Sequence, residues 1–321
     1  MNRYRLKEIV FISTLFLSVS IVIFLFIRAR ADEDAGMGTA EGVSYKQIIT
    51  PVELPAELDF AGEPVPLENF DVQESLDMEL LINKYWQSHT LLLIKRAHRY
   101  FPAIEKVLQE NKMPDDLKYL AVAESDLTNA TSPSNAVGYW QFLEGTAREL
   151  GLEVNNEVDE RYHLEKSTEA ACKFLKQSYE LYGSWTTAAA SYNAGRTGIN
   201  RQVGRQGTNY YYDLLLNGET SRYIYRILAL KMILSDPAAY GFMIDVKHMY
   251  PVIPTYEVTL DATVDDFSVL SERYSINYKI LKYFNPWLRE SYLSNTAKKT
   301  YYIQIPVSGY RNFDAGEQTV E

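Results

Sequence analysis

From about Asp71 to Asp236, apolar residues recur at helical spacing, as in Leu91, Leu92, Ile94, Ala97 and Tyr100. Over this span no stretch alternates apolar and polar residues as a half-buried strand does. Short clusters of Gly, Pro and Asn cut the pattern into segments. Residues 71–245 are therefore expected to form one mainly α-helical domain. The character changes after Pro251. Tyr256-Glu257-Val258-Thr259-Leu260 alternates like a strand, and Tyr301-Tyr302-Ile303-Gln304-Ile305 reads as a second. Between them, Val264 to Tyr274 and Tyr278 to Tyr283 read as two short helices. Residues 251–310 thus form a small separate α+β (βααβ) module, with 311–321 expected as a disordered tail.

The N-terminal end is of another kind. Residues 9–27 read IVFISTLFLSVSIVIFLFI, 19 residues without a charge. A helix of that length spans a bilayer core. Arg3, Arg5 and Lys7 precede it, so residues 1–8 are expected on the cytoplasmic side. Two readings stay open. The segment is an uncleaved transmembrane anchor, or it is a signal peptide cut after the small-x-small triplet Ala29-Arg30-Ala31. No Cys follows it, which speaks against a lipoprotein anchor. Residues 28–70 are polar, carry several Pro and Gly, and read as a linker. The chain beyond the apolar segment is expected outside the inner membrane, anchored and facing the periplasm, or periplasmic if the signal is cleaved.

Charge and cysteine content remove whole classes of function. The 321-residue chain carries 32 Lys and Arg against 42 Asp and Glu, a net charge of −10. That balance lacks the basic footprint of a nucleic-acid binder. The single cysteine, Cys172, rules out an intramolecular disulfide and thiolate clusters. His89, His98, His163 and His248 show no metal-ligand spacing and read as structural or surface residues. No metal and no organic cofactor is implied. Tyrosine is abundant, 25 residues, and its flat face and polar tip suit sugar surfaces, although most of these are expected to pack the core.

The chemistry is concentrated in residues 114–152. Pro114, Asp115 and Asp116 make a good helix start. Along that helix Leu117, Leu120, Ala121 and Glu124 fall at i, i+3, i+4 and i+7, so the carboxylate sits on the apolar face. Desolvation there should raise its pKa, and an acid protonated near neutral pH can serve as a general acid. For a lone Glu, pairing with a base or helix capping is the commoner explanation. Its neighbours change the weighting: Ser125, Thr128, Asn129, Ser132 and Ser134, then Asn135, Ala136 and Gly138 for a tight loop, then Trp140 and Gln141. Short hydrogen-bonding side chains next to an aromatic wall are what sugars require. Trp140 itself reads as core.

Glu124-Ser125, followed by Ala130-x-Ser132-x-Ser134-Asn135-Ala136-x-Gly138-x-Trp140-Gln141-Phe142, resembles the soluble-lytic-transglycosylase-like domains of the lysozyme superfamily. Among these, it resembles the membrane-bound lytic murein transglycosylase D group. Asp159-Glu160-Arg161 with Ser167-Thr168-x-Ala170-Ala171, Ala190-Ser191-Tyr192-Asn193-Ala194-Gly195, and Glu219-Thr220-x-x-Tyr223 resemble later family blocks in the right order. Tyr139, Glu144-Gly145 and Ser191 depart from the family pattern without removing a needed polar group. The resemblance implies a lysozyme-like, goose-type helical domain and cleavage of the peptidoglycan bond between N-acetylmuramic acid and N-acetylglucosamine, with a 1,6-anhydro product.

Hydrolysis by paired carboxylates needs a second acid. Asp126 lies about 200° around a helix from Glu124 and Glu144 lacks motif support. In the implied reaction the substrate supplies the nucleophile. Ser132 and Ser134 would bond the sugar or its C6 arm, and Gln141 would line the groove. Tyr192 and Asn193 would brace Glu124 and the N-acetyl group, and Tyr223 would contact the reacting sugar. Loop capping is the alternative for Ser134 and Asn193, core packing for Tyr192 and Tyr223. At the C-terminus, Tyr256-x-Val258, Asp261-Ala262-Thr263-Val264, Asn285-Pro286 and Ile303-Gln304-Ile305-Pro306 resemble a divergent LysM glycan-binding module. It would hold the enzyme on its polymer, or merely pack on the catalytic domain. The implied partners are peptidoglycan strands, the inner membrane through the N-terminal helix, and a cell-wall synthesis or hydrolysis complex. A lysozyme-type hydrolase and a non-catalytic wall-binding scaffold are the competing functions.

Overall fold

The computed structural model describes residues 49–312, and the apolar segment 9–27 lies outside them. Among the described residues no helix is long and apolar enough to cross a membrane. The expected helical body is present: α1 (Phe70–Tyr85), α2 (Gln87–Glu110), α3 (Lys118–Ser125), α4 (Glu144–Glu149), α5 (Leu164–Tyr182), α6 (Trp185–Ala194), α7 (Arg196–Gln206) and α8 (Gly218–Ser235). Helix ends follow local chemistry. Asn217 caps α8 by accepting from the amides of Glu219 and Thr220, and Ser184 caps α6 by accepting from Thr187. α5 stops at Gly183, whose φ of 68° suits the left-handed turn there.

α8 is the centre of the body. It buries Tyr223, Ile224, Ile227, Leu228, Leu230 and Ile233, and packs on α1, α3 and α6. One ion pair is built into this packing: Glu79 on α1, only 1% exposed, takes a 2.6 Å contact from Arg222 on α8. A carboxylate that deeply buried needs such a partner, and losing it would be strongly destabilising.

The stretch read as a linker to residue 70 is partly body. A short hairpin pairs β1 (Asp59–Phe60) with β2 (Glu63–Pro64), and Phe60, Val65 and Leu67 are buried in the helical core. Glu63 reaches the start of α6. Its carboxylate accepts from the Ser184 hydroxyl at 2.8 Å, the Thr186 hydroxyl at 2.7 Å, the Thr186 amide at 3.0 Å and the Trp185 amide. A negative charge on the first turn of a helix is favoured by the dipole and the free amides. Glu63→Ala is expected to cost about 2 kcal/mol, which at this chain length lowers the melting temperature by roughly 3 °C. Calorimetry that finds no shift would return this stretch to the status of a linker.

The C-terminal module has the expected order. β3 (Thr255–Leu260) pairs antiparallel with β4 (Tyr301–Pro306), from Thr255 opposite Pro306 to Leu260 opposite Tyr301. α9 (Phe267–Arg273) begins three residues after the expected Val264. Val264 is held in a bridge to Leu293, and Asp266 caps the helix by accepting from Ser268 at 2.7 Å. Phe267, Leu281, Leu288, Ile303 and Ile305 form the core with α10 (Tyr278–Phe284). Val158, from the helical body, belongs to the same core. The chain continues past residue 310 into a single turn, Tyr310–Asn312.

Candidate active site

Pro114 and its two acids open a short 3₁₀ turn, Asp115–Leu117, that runs into α3. Leu117, Leu120 and Ala121 are fully buried, which orients the apolar face inward and carries Glu124 with it. The helix ends immediately afterwards: Asp126 and Leu127 take φ values of 55° and 54°. Two successive left-handed, non-glycine residues store backbone strain. Asp126 is held there by His89, with 3.0 Å between Nε2 and Oδ2. It is directed at His89; Asp126 lies just past the end of α3, so the left-handed turn and not a helical phase sets that direction.

Glu124 is half-buried. Its Oε1 accepts the Tyr223 hydroxyl at 2.5 Å. Burial of the carboxylate raises its pKa from 4.5 to about 7. The Tyr223 hydrogen bond works against that rise, the negative charge of Glu219 adds to it, and the positive charge of Arg226 opposes it. Burial outweighs the rest. At neutral pH the protonated and ionised forms are both populated, the condition under which one group can give a proton and then take one.

The loop from Ala130 to Phe142 has no regular strand and is held by bridges Thr131 to Val137 and Val137 to Phe142. Ser125 donates to the Tyr139 carbonyl at 2.8 Å and ties the loop to the end of α3. Tyr192 donates to the Trp140 carbonyl at 2.7 Å and packs against Phe142 and Phe174. Trp140 is core, fully buried, with its indole NH on Thr168 at 2.9 Å. Ser132 closes the turn by accepting the Ala136 amide at 3.0 Å, and Ser134 stands exposed at its tip. Gln141, at φ 48°, donates to the carbonyls of Ala130 and Gly138.

Two expected contacts are redistributed. The direct brace on Glu124 is Tyr223. Tyr192 instead bonds the loop backbone, although the charge of Glu124 reaches it and raises its pKa further. Asn193 bonds Glu219 at 3.1 Å and accepts from Thr220 at 2.9 Å, so it orders the start of α8. Glu219 and Arg226 were not among the expected site residues. Their signal lay in the spacing: 219, 223 and 226 fall at i, i+4 and i+7 and share one helix face. Beside α3 a cavity of about 340 Å³ is lined by Glu79, Trp86, His89, Asp126, Arg222 and Arg226. Trp86 is 56% exposed and stacks on His89 with ring centroids 3.9 Å apart. Among the described residues no group of His, Cys, Asp or Glu is placed to hold a metal ion.

Comparison with known proteins falls on the same elements. Residues 101–214 match the family model described as Transglycosylase SLT domain. Residues 256–309 match the Soluble lytic transglycosylase C-terminal LysM-like domain. The chain is 27% identical over 256 residues to the membrane-bound lytic murein transglycosylase D of Escherichia coli K12, covering 77% of this chain and 55% of that protein. The protein of the same name from an Escherichia coli O6:H1 strain gives the same figures. The chain thus spans about half the length of the curated relatives it matches. Tyr223 lies beyond the first matched segment, and the fold returns it to Glu124 across 99 positions of sequence. Residues 101–214 of this chain thus resemble a transglycosylase SLT domain, and residues 256–309 resemble the LysM-like domain of soluble lytic transglycosylases.

Proposed function

We propose that the protein is a peptidoglycan lytic transglycosylase of the cell envelope, cutting between N-acetylmuramic acid and N-acetylglucosamine. The observation that carries this reading is one desolvated carboxyl, with a pKa of about 7, at the end of a helix that runs into a polar segment inside the matched family region. Glu124 gives its proton to the bridging oxygen as the bond from that oxygen to C1 of the muramic sugar breaks. The N-acetylglucosamine end leaves as an alcohol. The ionised Glu124 then takes the proton of the C6 hydroxyl, and that oxygen bonds C1 to close the 1,6-anhydro ring. Proton and electron pairs balance with no water consumed.

Tyr223 holds the carboxylate in place through both steps. Ser134 and Gln141 belong to the loop that faces the sugar, and Ser132, Tyr192 and Asn193 hold that loop and its surroundings. Murein in the name of both relatives supports the substrate, and their membrane-bound designation supports an inner-membrane location through residues 9–27. Attachment to a cell-wall synthesis or hydrolysis complex remains part of the same proposal.

Glu219 keeps a second reading in play. It is a carboxylate near enough to act on Glu124, and a lysozyme-type hydrolase uses a second acid to activate water. Mass spectrometry of products from purified sacculi separates the two. Transglycosylation yields muramic ends lighter by one water than reducing ends. Reducing ends alone would assign the protein to hydrolysis.

A further inference from the structure

The C-terminal module is joined to the helical body by a dense contact at residues 153–162. Val158 bridges Leu288, the Asp159 amide donates to the Trp287 carbonyl at 2.8 Å, and the Arg289 amide donates to the Glu157 carbonyl at 2.7 Å. The Glu157 carboxylate accepts the amide and the hydroxyl of Ser294 at 2.6 and 2.7 Å. Glu153 takes Tyr301 and Lys299. The Arg289 guanidinium lies 3.9 Å from the centre of the Tyr162 ring, and Tyr162 reaches the hydroxyl of Thr131 at 3.2 Å. The segment between the module's second helix and its last strand is thereby spent on the helical body.

The same segment holds the loop 135–142. Asp159 grips Arg161 with both oxygens, at 2.9 and 2.7 Å. Arg161 in turn donates to the carbonyls of Phe142 at 3.2 Å and Asn135 at 3.4 Å. Gly138 is packed so closely on Arg161 that a Cβ would lie 1.9 Å from its carbonyl oxygen. The loop these contacts hold has three residues at positive φ, Asn135, Gly138 and Gln141. Such a loop keeps its shape only when its surroundings over-determine it.

We infer that the LysM-like module is a positioning element for the glycan groove, with Glu157 as its key link, and not a free tether to the polymer. This rests on the function proposed above. The module clamps residues 153–162, and these clamp the loop 135–142, which Ser125 ties to the end of α3 next to Glu124.

The test uses the full-length protein, its Glu157→Ala variant and the conservative Glu157→Gln, whose amide oxygen can still accept one Ser294 bond. The substrate is a short soluble glycan strand that fills only the groove. Loss of a charge-assisted anchor that orients the loop is expected to raise KM on the order of fivefold, with partial recovery in Glu157→Gln. Backbone amides of 135–142 should exchange faster with deuterium in Glu157→Ala, a readout that needs no activity. Loss confined to insoluble sacculi would mean that the module is a tether and would overturn the inference. So would unchanged exchange in 135–142, or a fall in kcat at unchanged KM that tracks the folded fraction. A wild-type protein that leaves the strand uncut would sink the proposed function instead, while the exchange result still decides the mechanical link.

Discussion

Glu124→Gln is expected to reduce turnover of glycan strands by about a thousandfold, within the range lost when a general acid is removed. Gln keeps the shape of the side chain and can still accept the Tyr223 hydroxyl, so the fold should survive. The pH behaviour adds a second signature. The first step needs the protonated acid, so activity should fall as pH rises through about 7, the value to which burial lifts Glu124. Stability moves in the same direction. The folded state binds this proton more tightly than the unfolded chain does. The native protein is therefore most favoured below pH 4.5 by this group and loses that advantage as pH rises from 4.5 to about 7. The loss is about 3 kcal/mol in wild type. It should be absent from Glu124→Gln, which at pH 8 should melt no lower than wild type. Denaturation at pH 5 and pH 8, with turnover measured alongside, checks both parts. A variant with wild-type turnover would remove Glu124 from the chemistry.

Gly138→Ala is the second large effect. Gly138 sits at φ 83°, where an L side chain is strained, and its missing Cβ is replaced by the Arg161 carbonyl at 1.9 Å. That neighbour is backbone, held by the Asp159–Arg161 pair, and cannot swing aside. The substitution forces the loop and the 159–162 turn apart. A cost of about 3 kcal/mol or more is expected, a fall of roughly 5 °C in melting temperature for a chain of this size. Because the loop also receives Ser125 and Tyr192, turnover should drop with stability even well below the melting point. Calorimetry and turnover on the same preparation measure this, and a variant with unchanged values would show that the loop is free to move off Arg161.

The contrast between these two positions shows what a one-dimensional reading could see. Glu124 was legible because a helix repeats every 3.6 residues, and its phase relative to Leu117, Leu120 and Ala121 placed it on the buried face. β3 and β4 were legible because alternation is equally local. Residues 59–67 were not. Phe60 fills the core and Glu63 caps α6 across more than a hundred positions, and neither contact leaves a periodic trace in so short and polar a stretch. Tyr223 was visible as part of a motif, but its partner was not. Which Tyr braces the acid depends on how α8 crosses α3, a matter of packing and not of spacing. The docking of residues 285–301 on 153–162 was hidden for the same reason: Glu153, Glu157 and Asp159 look like an ordinary acidic surface turn until their partners arrive from the C-terminal module.

The central claim is that the Glu124 carboxyl is kept dry enough to hold a proton near neutral pH. Carbon-13 NMR of protein labelled at glutamate side-chain carboxyls, with the Glu124→Gln spectrum to assign the missing resonance, follows that proton directly. The account predicts a midpoint at about 7 for Glu124 in the free protein. A midpoint near 4.5, the value of a solvated glutamate, would contradict it.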